Sequence, residues 1–323
     1  KEAINDANFP YTSSNIVIDD SDNNDENDVS YFTPYLIQQK NVLDRQGNVQ
    51  QLKIGYIGFV PPQVMQWDKA NLETKIKAKD MVDMANKYVP VMKAQGADII
   101  IAIPHSGLVT NDRQGNDENA SYYLAQVEGI DAIMFGHAHR NFPGDASYND
   151  LAHIDNTKGT IHGVAAVMPG YWGKYLGVID LEIQQDDQLN WSVINSQSSL
   201  RAISQTNDDR SVTSLVDSHS GIEDAVKHDH QEVQNWVSEP FAKIAAPINS
   251  FFALVQDDPS IQVVTDAQTW YVKKIVKGTA LENLPILSVG APFRAGRGGS
   301  EDFTDLSAGD VSYGNVSDLY IYP

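Results

Sequence analysis

Two histidines one residue apart, His137 and His139, stand in the stretch MFGHAHRNFPG (Met134 to Gly144), and a third, His105, follows Pro104 in GADIIIAIPHSGL. Imidazole is the usual nitrogen ligand of zinc, manganese and iron. A His-x-His pair in extended backbone can reach two adjacent metal ions or grip one. The chain holds 8 histidines. The other five, His153, His162, His219, His228 and His230, lie in polar stretches, where a histidine is an ordinary surface or capping residue. They are given no chemical role.

What sets the first three apart is the elements that must position them. LKIGYIGFV (Leu52 to Val60) reads as a strand, and the stretch from Ala70 to Ala94 carries a helical pattern through Met81, Met84, Ala85 and Tyr88. Gly96 ends that helix, Ile99 to Ile103 form a buried strand, and Pro104 breaks it so that His105 sits on the exit loop. A second such unit follows: Ser121 to Val127 reads as a helix, and Ile130, Ile133, Met134 and Phe135 as a buried strand that releases His137 and His139 at its end. Strand carboxyl ends are where α/β sheets build sites.

Further along, GVAAVMPGYWGKYLGVIDLEI reads as two strands. In the second, Ile179, Leu181 and Ile183 alternate with Asp180 and Glu182, which predicts one wet face. From about Ser196 the chain turns polar and reads as a linker with a connecting helix. A second α/β unit then opens with a helix in DDPSIQVVTDAQTWYVKKIV, its apolar positions being Ile261, Val264, Ala267, Tyr271 and Ile275. LPILSVGAPFRAGRGGSEDF reads as strand then glycine-rich loop. The last residues, DLYIYP, follow an apolar strand pattern, with Tyr320 expected as a strand core aromatic. The first, KEAINDANFPY, read as the final turns of a helix and a strand entry. Both ends read as cut, and the second domain as unfinished.

Composition narrows the function classes. With 323 residues, the chain can hold two domains, and a hydrophobic content of 41% supplies real cores. Its net charge of −20 disfavours duplex nucleic acid and anionic membrane surfaces, both of which need clustered Lys and Arg. Part of that charge is local, in DDSDNNDEND (Asp19 to Asp28), an acidic low-complexity stretch expected to be a solvated loop. A calcium-loop reading fails there, because the glycine position is Asp25 and the twelfth position is Tyr31. The chain has no cysteine, which excludes disulfides, thiolate metal sites and cysteine nucleophiles. No apolar run reaches the roughly 20 residues of a membrane span.

The motifs IPHSG and FGHAHRNFPG, followed by GVAAVMPGYWGKYLGVIDL, resemble the later half of the calcineurin-like metallophosphatase domain of bacterial 2′,3′-cyclic-nucleotide 2′-phosphodiesterase/3′-nucleotidases, within the wider 5′-nucleotidase family. YIGFVPPQVMQWDKANLE, ALVQDDPSIQVV and DLYIYP fit the same group, so the resemblance covers nearly the whole chain, the acidic loop excepted. It implies an α/β fold: the later half of a four-layer α/β/β/α metallophosphatase domain over residues 1–195, a linker and connecting helix over 196–245, and the start of a second α/β nucleotide-binding domain over 246–323.

The resemblance also implies a centre of two divalent metal ions (manganese, zinc, iron or cobalt), with His105 and His137 on one ion and His139 on the other. It implies substrate contacts from Tyr322, as one half of an aromatic clamp on the base, and from Arg294 and Arg297. The implied reaction opens a 2′,3′-cyclic nucleotide to a 3′-nucleotide and then removes the remaining phosphate. The implied setting is a monomer without a membrane span, exported to the periplasm or cell surface.

The family's bridging Asp-x-His motif and its Asn-His-Glu motif, which carries the catalytic histidine, would both lie before residue 1. Three neutral imidazoles cannot balance two divalent ions, so these 323 residues alone are expected to lack full activity. A 5′-nucleotidase or nucleotide-sugar hydrolase, and an inactive nucleotide-binding fragment, are the alternatives. The DLYIYP and QVMQWDKANLE segments favour the cyclic phosphodiesterase.

Overall fold

A computed structural model describes residues 2–21, 24, 27–209 and 211–321. The contacts divide the chain into two compact units, residues 1–216 and 217–323. In chain order the first unit contains α1 (Glu2–Asp6), β1 (Ile16–Ile18), β2 (Tyr35–Leu43), β3 (Val49–Phe59), α2 (Val64–Trp67), α3 (Lys69–Leu72), β4 (Ile76–Ala78), α4 (Met81–Ala94) and β5 (Ile99–Pro104). It continues with α5 (Ser121–Leu124), β6 (Ala132–Met134), β7 (Asn141–Phe142), β8 (Ile154–Asp155), β9 (Thr160–Ile161), β10 (Val164–Pro169), β11 (Tyr175–Gln185), β12 (Trp191–Ala202), β13 (Ser204–Thr206) and β14 (Val212–Ser214).

The main sheet, eight-stranded among the described residues, runs β2-β3-β5-β6-β10-β9-β8, with β7 also on β10. Its centre is parallel, through β3 with β5, β5 with β6 and β6 with β10, while β2, β7, β8 and β9 join antiparallel. Parallel strands are covered on both faces, and β5 accordingly reads as a nearly continuous aliphatic run with Ile99, Ile100 and Ala102 buried. Against this sheet α4 lays Met81, Val82, Met84, Ala85, Val89 and Met92, all buried. A Cβ on Gly55 of β3 would stand 2.5 Å from the Met92 Cε, so the helix sits this close only because the strand has glycine there.

The helical pattern expected over residues 70–94 is interrupted. Thr74 takes a left-handed φ of 65°, and Ile76 to Ala78 leave the helix to pair antiparallel with β1, Ile16 opposite Ala78. Helix α4 then starts cleanly because the Asp80 carboxylate accepts the Val82 and Asp83 backbone N–H groups. Helix α5 stops at Leu124 rather than Val127, its last turn tightening into i to i+3 bonds from Gln126 to Tyr123 and Val127 to Leu124.

Residues 196–202, expected as polar linker, are instead the second half of the long hairpin β11–β12, with Leu181 opposite Ser196 and Tyr175 opposite Ala202. The serines of this stretch are at home in a strand because the pairing backbone supplies the structure; Ser196 and Ser198 are buried. In β11 the wet and dry faces are less distinct than the alternation predicts, Ile179, Leu181 and Ile183 being half-buried. The acidic loop is partly tied down: Asp19 pairs with Lys77 at 3.0 Å and Asp28 with Lys79 at 2.7 Å.

The second unit contains α6 (Ser220–Ser238), β15 (Pro240–Ile244), β16 (Ile248–Asn249), α7 (Pro259–Val276), β17 (Asp305–Leu306), β18 (Gly309–Ser312) and α8 (Tyr313–Leu319). Its strands form two antiparallel pairs, β15 with β18 and β16 with β17. The strand expected in LPILSVG does not form among the described residues. No neighbouring strand offers it a ladder, and Leu287 and Val289 are 91% and 88% exposed. The apolar pattern before DLYIYP is likewise helix α8, opened by a capping box between Ser312 and Asn315. Tyr320 is therefore not a strand aromatic: it caps α8 and meets the Phe293 ring edge-on at 5.1 Å.

Candidate metal centre

The carboxyl ends of β5 and β6, neighbours in the parallel part of the sheet, bring His105 and His137 together with ring centroids 5.1 Å apart. His105 is fixed where the chain leaves β5, its backbone N–H still donating to the Phe59 carbonyl of β3 at 2.9 Å. The loop after β6 is held at both ends on β10. Phe135 N–H donates to the Val167 carbonyl, and Gly170 N–H to the Arg140 carbonyl. Between these anchors His137 and His139 adopt left-handed φ values of 70° and 55°. Such conformations cost on the order of 1 kcal/mol or more for residues with a Cβ and gather at functional sites.

The Ser-Gly after His105 is sewn to residues 118–121 at the start of α5. Ser106, fully buried, donates through its hydroxyl to the Glu118 carbonyl at 2.8 Å and accepts the Ala120 N–H at 2.7 Å. Gly107 N–H donates to Asn119 Oδ1 at 3.0 Å, and Ser121 Oγ donates to the Ser106 carbonyl. Gly107 is required by close approach: a Cβ there would overlap Asn119 Oδ1 and stand 3.0 Å from the Ala138 Cβ. The three short stretches His-Ser-Gly, Glu-Asn-Ala and His-Ala-His thus interlock. At their centre His137 Nε2 lies 2.6 Å from Glu118 Oε1, and Trp67, at the end of α2, stacks on the His137 ring at 5.4 Å.

His139 points elsewhere in the same cluster. Its ring stacks on Tyr171 at 5.2 Å, and Lys174 lies over the Tyr171 ring, its Nζ 4.3 Å from the centroid and 3.0 Å from the Tyr171 hydroxyl. These residues, with Arg140 and Asp145, line a cavity of about 550 Å³. Burial holds the His105 imidazole below its ordinary range, and the neighbouring His137 and His139 add to the shift. His105 is therefore neutral at pH 7 and keeps a lone pair for a cation.

The other expected site residues fall in the second unit. Arg294 uses its guanidinium internally, on Asp318 Oδ1 at 2.5 Å, the Glu301 carbonyl at 2.9 Å and Asp302 at 3.7 Å. Arg297 is exposed on the turn that contains Gly296 and Gly299. Tyr322 lies outside the described residues. Among the histidines left without a role, His153 and His162 stack at 4.6 Å, with the His162 N–H on the His153 carbonyl, and brace the turns around β9.

Three residues of the cluster escaped sequence reasoning: Glu118, Asn119 and Trp67. Neither Glu118 nor Asn119 belongs to an apolar period, and Trp67 sits in a four-residue helix. Only the Glu-Asn pair just ahead of the Ser121 helix start was a signal.

The donor chemistry suits a divalent cation in kind, since imidazoles are delivered from rigid strand ends. In number it is incomplete: among the described residues no group of three or more His, Asp or Glu side chains is close enough to hold a metal ion. Anionic oxygen ligands would have to be added to these histidines.

No protein-family model matches the chain. It is 45% identical over 321 residues to the trifunctional nucleotide phosphoesterase protein YfkN of Bacillus subtilis, covering 99% of this chain and 21% of that protein. It is 44% identical over 324 residues to the 2′,3′-cyclic-nucleotide 2′-phosphodiesterase/3′-nucleotidase of Salmonella typhimurium, covering 99% of this chain and 48% of that protein. The crystal structure of the calcineurin-like phosphoesterase YfkN superimposes with a TM-score of 0.65 at 39% identity, over 73% of this chain and 66% of that one. The chain spans about half the length of the Salmonella relative and about a fifth of the Bacillus one. Over nearly its whole length, then, the chain is homologous to a segment of the bacterial 2′,3′-cyclic-nucleotide 2′-phosphodiesterase/3′-nucleotidases, and its fold is that of a calcineurin-like phosphoesterase.

Proposed function

We propose that the protein is a metal-dependent phosphoesterase that hydrolyses 2′,3′-cyclic nucleotides to 3′-nucleotides and then 3′-nucleotides to nucleoside and phosphate. The observation that carries this reading is the meeting of His105 and His137, 5.1 Å between ring centroids, at adjacent strand ends of a chain 44% identical to a phosphodiesterase/3′-nucleotidase. His105, His137 and His139 are the metal ligands that these residues contribute. Bound divalent ions would supply Lewis acidity to a phosphate ester and a reactive hydroxide at neutral pH.

The chain's own residues prepare that chemistry. Desolvation keeps His105 unprotonated, the interlocked loops hold the rings in place without cost at the moment of binding, and Trp67 and Tyr171 shield one face of His137 and His139. The remaining, anionic ligands come from parts of the protein outside these residues. The metallophosphatase part runs from residue 1 through β12 to Ala202, the linker and connecting helix follow to 245, and 246–323 form the start of a substrate-binding domain, with Tyr322, Arg297 and Arg294, the last also paired with Asp318 and Asp302, as its substrate contacts. The protein acts as a monomer in the periplasm or at the cell surface; among the described residues no helix is long and apolar enough to cross a membrane.

The test is hydrolysis of 2′,3′-cyclic AMP, 3′-AMP and 5′-AMP by the full-length protein with added manganese, beside the His137→Ala variant. Turnover of the first two that chelator and the substitution both abolish is expected. Preference for 5′-AMP would reassign the protein to the 5′-nucleotidases.

A further inference from the structure

The relatives' names say nothing of how His137 presents itself to a metal ion. That depends on which of its two ring nitrogens carries the hydrogen, and the loops around it decide the matter. Glu118 Oε1 stands 2.6 Å from His137 Nε2. A carboxylate oxygen accepts hydrogen bonds, so the pairing places the hydrogen on Nε2 and leaves Nδ1 as the nitrogen free for a cation. Trp67, stacked at 5.4 Å and 23°, restricts rotation of the same ring.

Glu118 itself is not a loose surface side chain that happens to reach the histidine. Its backbone carbonyl accepts the hydroxyl of fully buried Ser106, its neighbour Asn119 holds the Gly107 N–H, and Leu108 bridges to Ala120. The segment that bears the carboxylate is therefore built onto the loop that bears His105, while the carboxylate reaches across to the loop that bears His137. One residue ties His105 and His137 together.

We infer that Glu118 is a positioning residue for the metal centre: it locks His137 in the Nε2-protonated form, so that Nδ1 is the nitrogen offered to the cation. This rests on the metal-dependent reading proposed above. The carboxylate also makes the ring a more basic ligand and offsets part of the incoming positive charge.

The experiment uses the full-length protein, its Glu118→Gln and Glu118→Ala variants, and manganese ion alone as the probe. Glu118 is 40% exposed, and Gln preserves its size, so folding is not at stake in that variant. The two readouts are the manganese dissociation constant and the nitrogen-15 shifts of the His137 ring in metal-free protein, assigned by their loss in His137→Asn.

Wild type is expected to show protonated Nε2, Glu118→Ala a mixture of the two forms, and both variants manganese binding weakened about 10- to 100-fold. An unchanged His137 ring in Glu118→Ala, or affinities within about twofold of wild type in both variants, overturns the inference and leaves the metal reading standing. Wild type that binds no manganese overturns both.

Discussion

The strand exits of the first unit and the helices of the second are built from equally clear local signals, yet they end in different states. Helix α4 begins at an Asp N-cap and buries six side chains against the sheet. Helix α7 begins at an Asp N-cap followed by proline, a comparably strong start, and buries only Ser260. Helix α6, 19 residues long, has no buried side chain at all among the described residues. Local capping decides where a helix starts, whereas its stability comes mainly from burying one face. The difference carries over to the proposed site residues. His105 and His137 stand on loops anchored in a packed sheet, while Arg294 and Arg297 stand on a glycine-rich turn whose order comes from ion pairs to Asp302 and Asp318.

Substitutions can break this contrast or sharpen it. The largest effect is expected from Ile57→Ala: the side chain is fully buried, and its loss should destabilise the first unit by about 2–5 kcal/mol. Tyr271→Ala in α7, 60% exposed, should shift stability by no more than about 0.5 kcal/mol. Urea unfolding followed with probes in each unit checks both, and a comparable loss at the two sites would erase the contrast.

Next in size, Gly107→Ala forces a Cβ onto Asn119 and Ala138 and should cost about 1–3 kcal/mol. Gly136→Ala, in the same cluster, meets nothing within 4 Å and should be tolerated in thermal melts. If the two behave alike, the interlocking of the three loops is looser than described.

The caps provide a finer comparison. Asp258→Ala removes the hydrogen bond to the Ser260 N–H and should cost about 1 kcal/mol. Asp80→Ala should cost more, because Asp80 also accepts from the Asn116 N–H and pairs with Arg113 at 2.7 Å. Burial pushes the Asp80 carboxyl up, but its backbone hydrogen bonds and Arg113 outweigh that and hold it below the ordinary range. Its stabilisation is therefore complete above about pH 4 and disappears as pH falls further. Chemical denaturation of the two variants between pH 3 and pH 7 should show Asp80→Ala with the flatter profile.

The smallest effect concerns His162, whose pKa is lowered by burial and by the stacked His153. A lowered histidine stabilises the fold fully above its unfolded value of about 6.5, and that contribution is lost as pH falls through the folded value. Asn tolerates the left-handed backbone found here, so His162→Asn should flatten the loss of stability on acidification below pH 6.5. An unchanged slope would mean that the stacked pair is not felt by the fold.

Much of this was legible in the sequence for identifiable reasons. The parallel strands announced themselves as aliphatic runs, Ile99 to Ile103 above all, because a strand covered on both faces has no polar positions. The exits fall close to where Pro104 and Gly136 suggest, but Pro104 is the last paired residue of β5 rather than its breaker, and the turn after β6 is made by left-handed His137 and His139 rather than by Gly136. The break of the expected helix at Thr74 was not legible, since β4 exists only by pairing with β1, some 60 residues earlier. Nor was the strand character of residues 196–202, whose serines take their order from β11.

The sequence by itself determined the kinds of group at the site and the strand ends that deliver them: residue type and hydrophobic period are local properties, and His105, His137 and His139 follow from them. Only the tertiary structure decided that His105 and His137 approach within 5.1 Å, that Glu118 claims the Nε2 of His137, and that Trp67 covers its ring. Those contacts join stretches 19 to 70 residues apart, and such distances close only when the sheet orders its strands and the core fixes the loops between them.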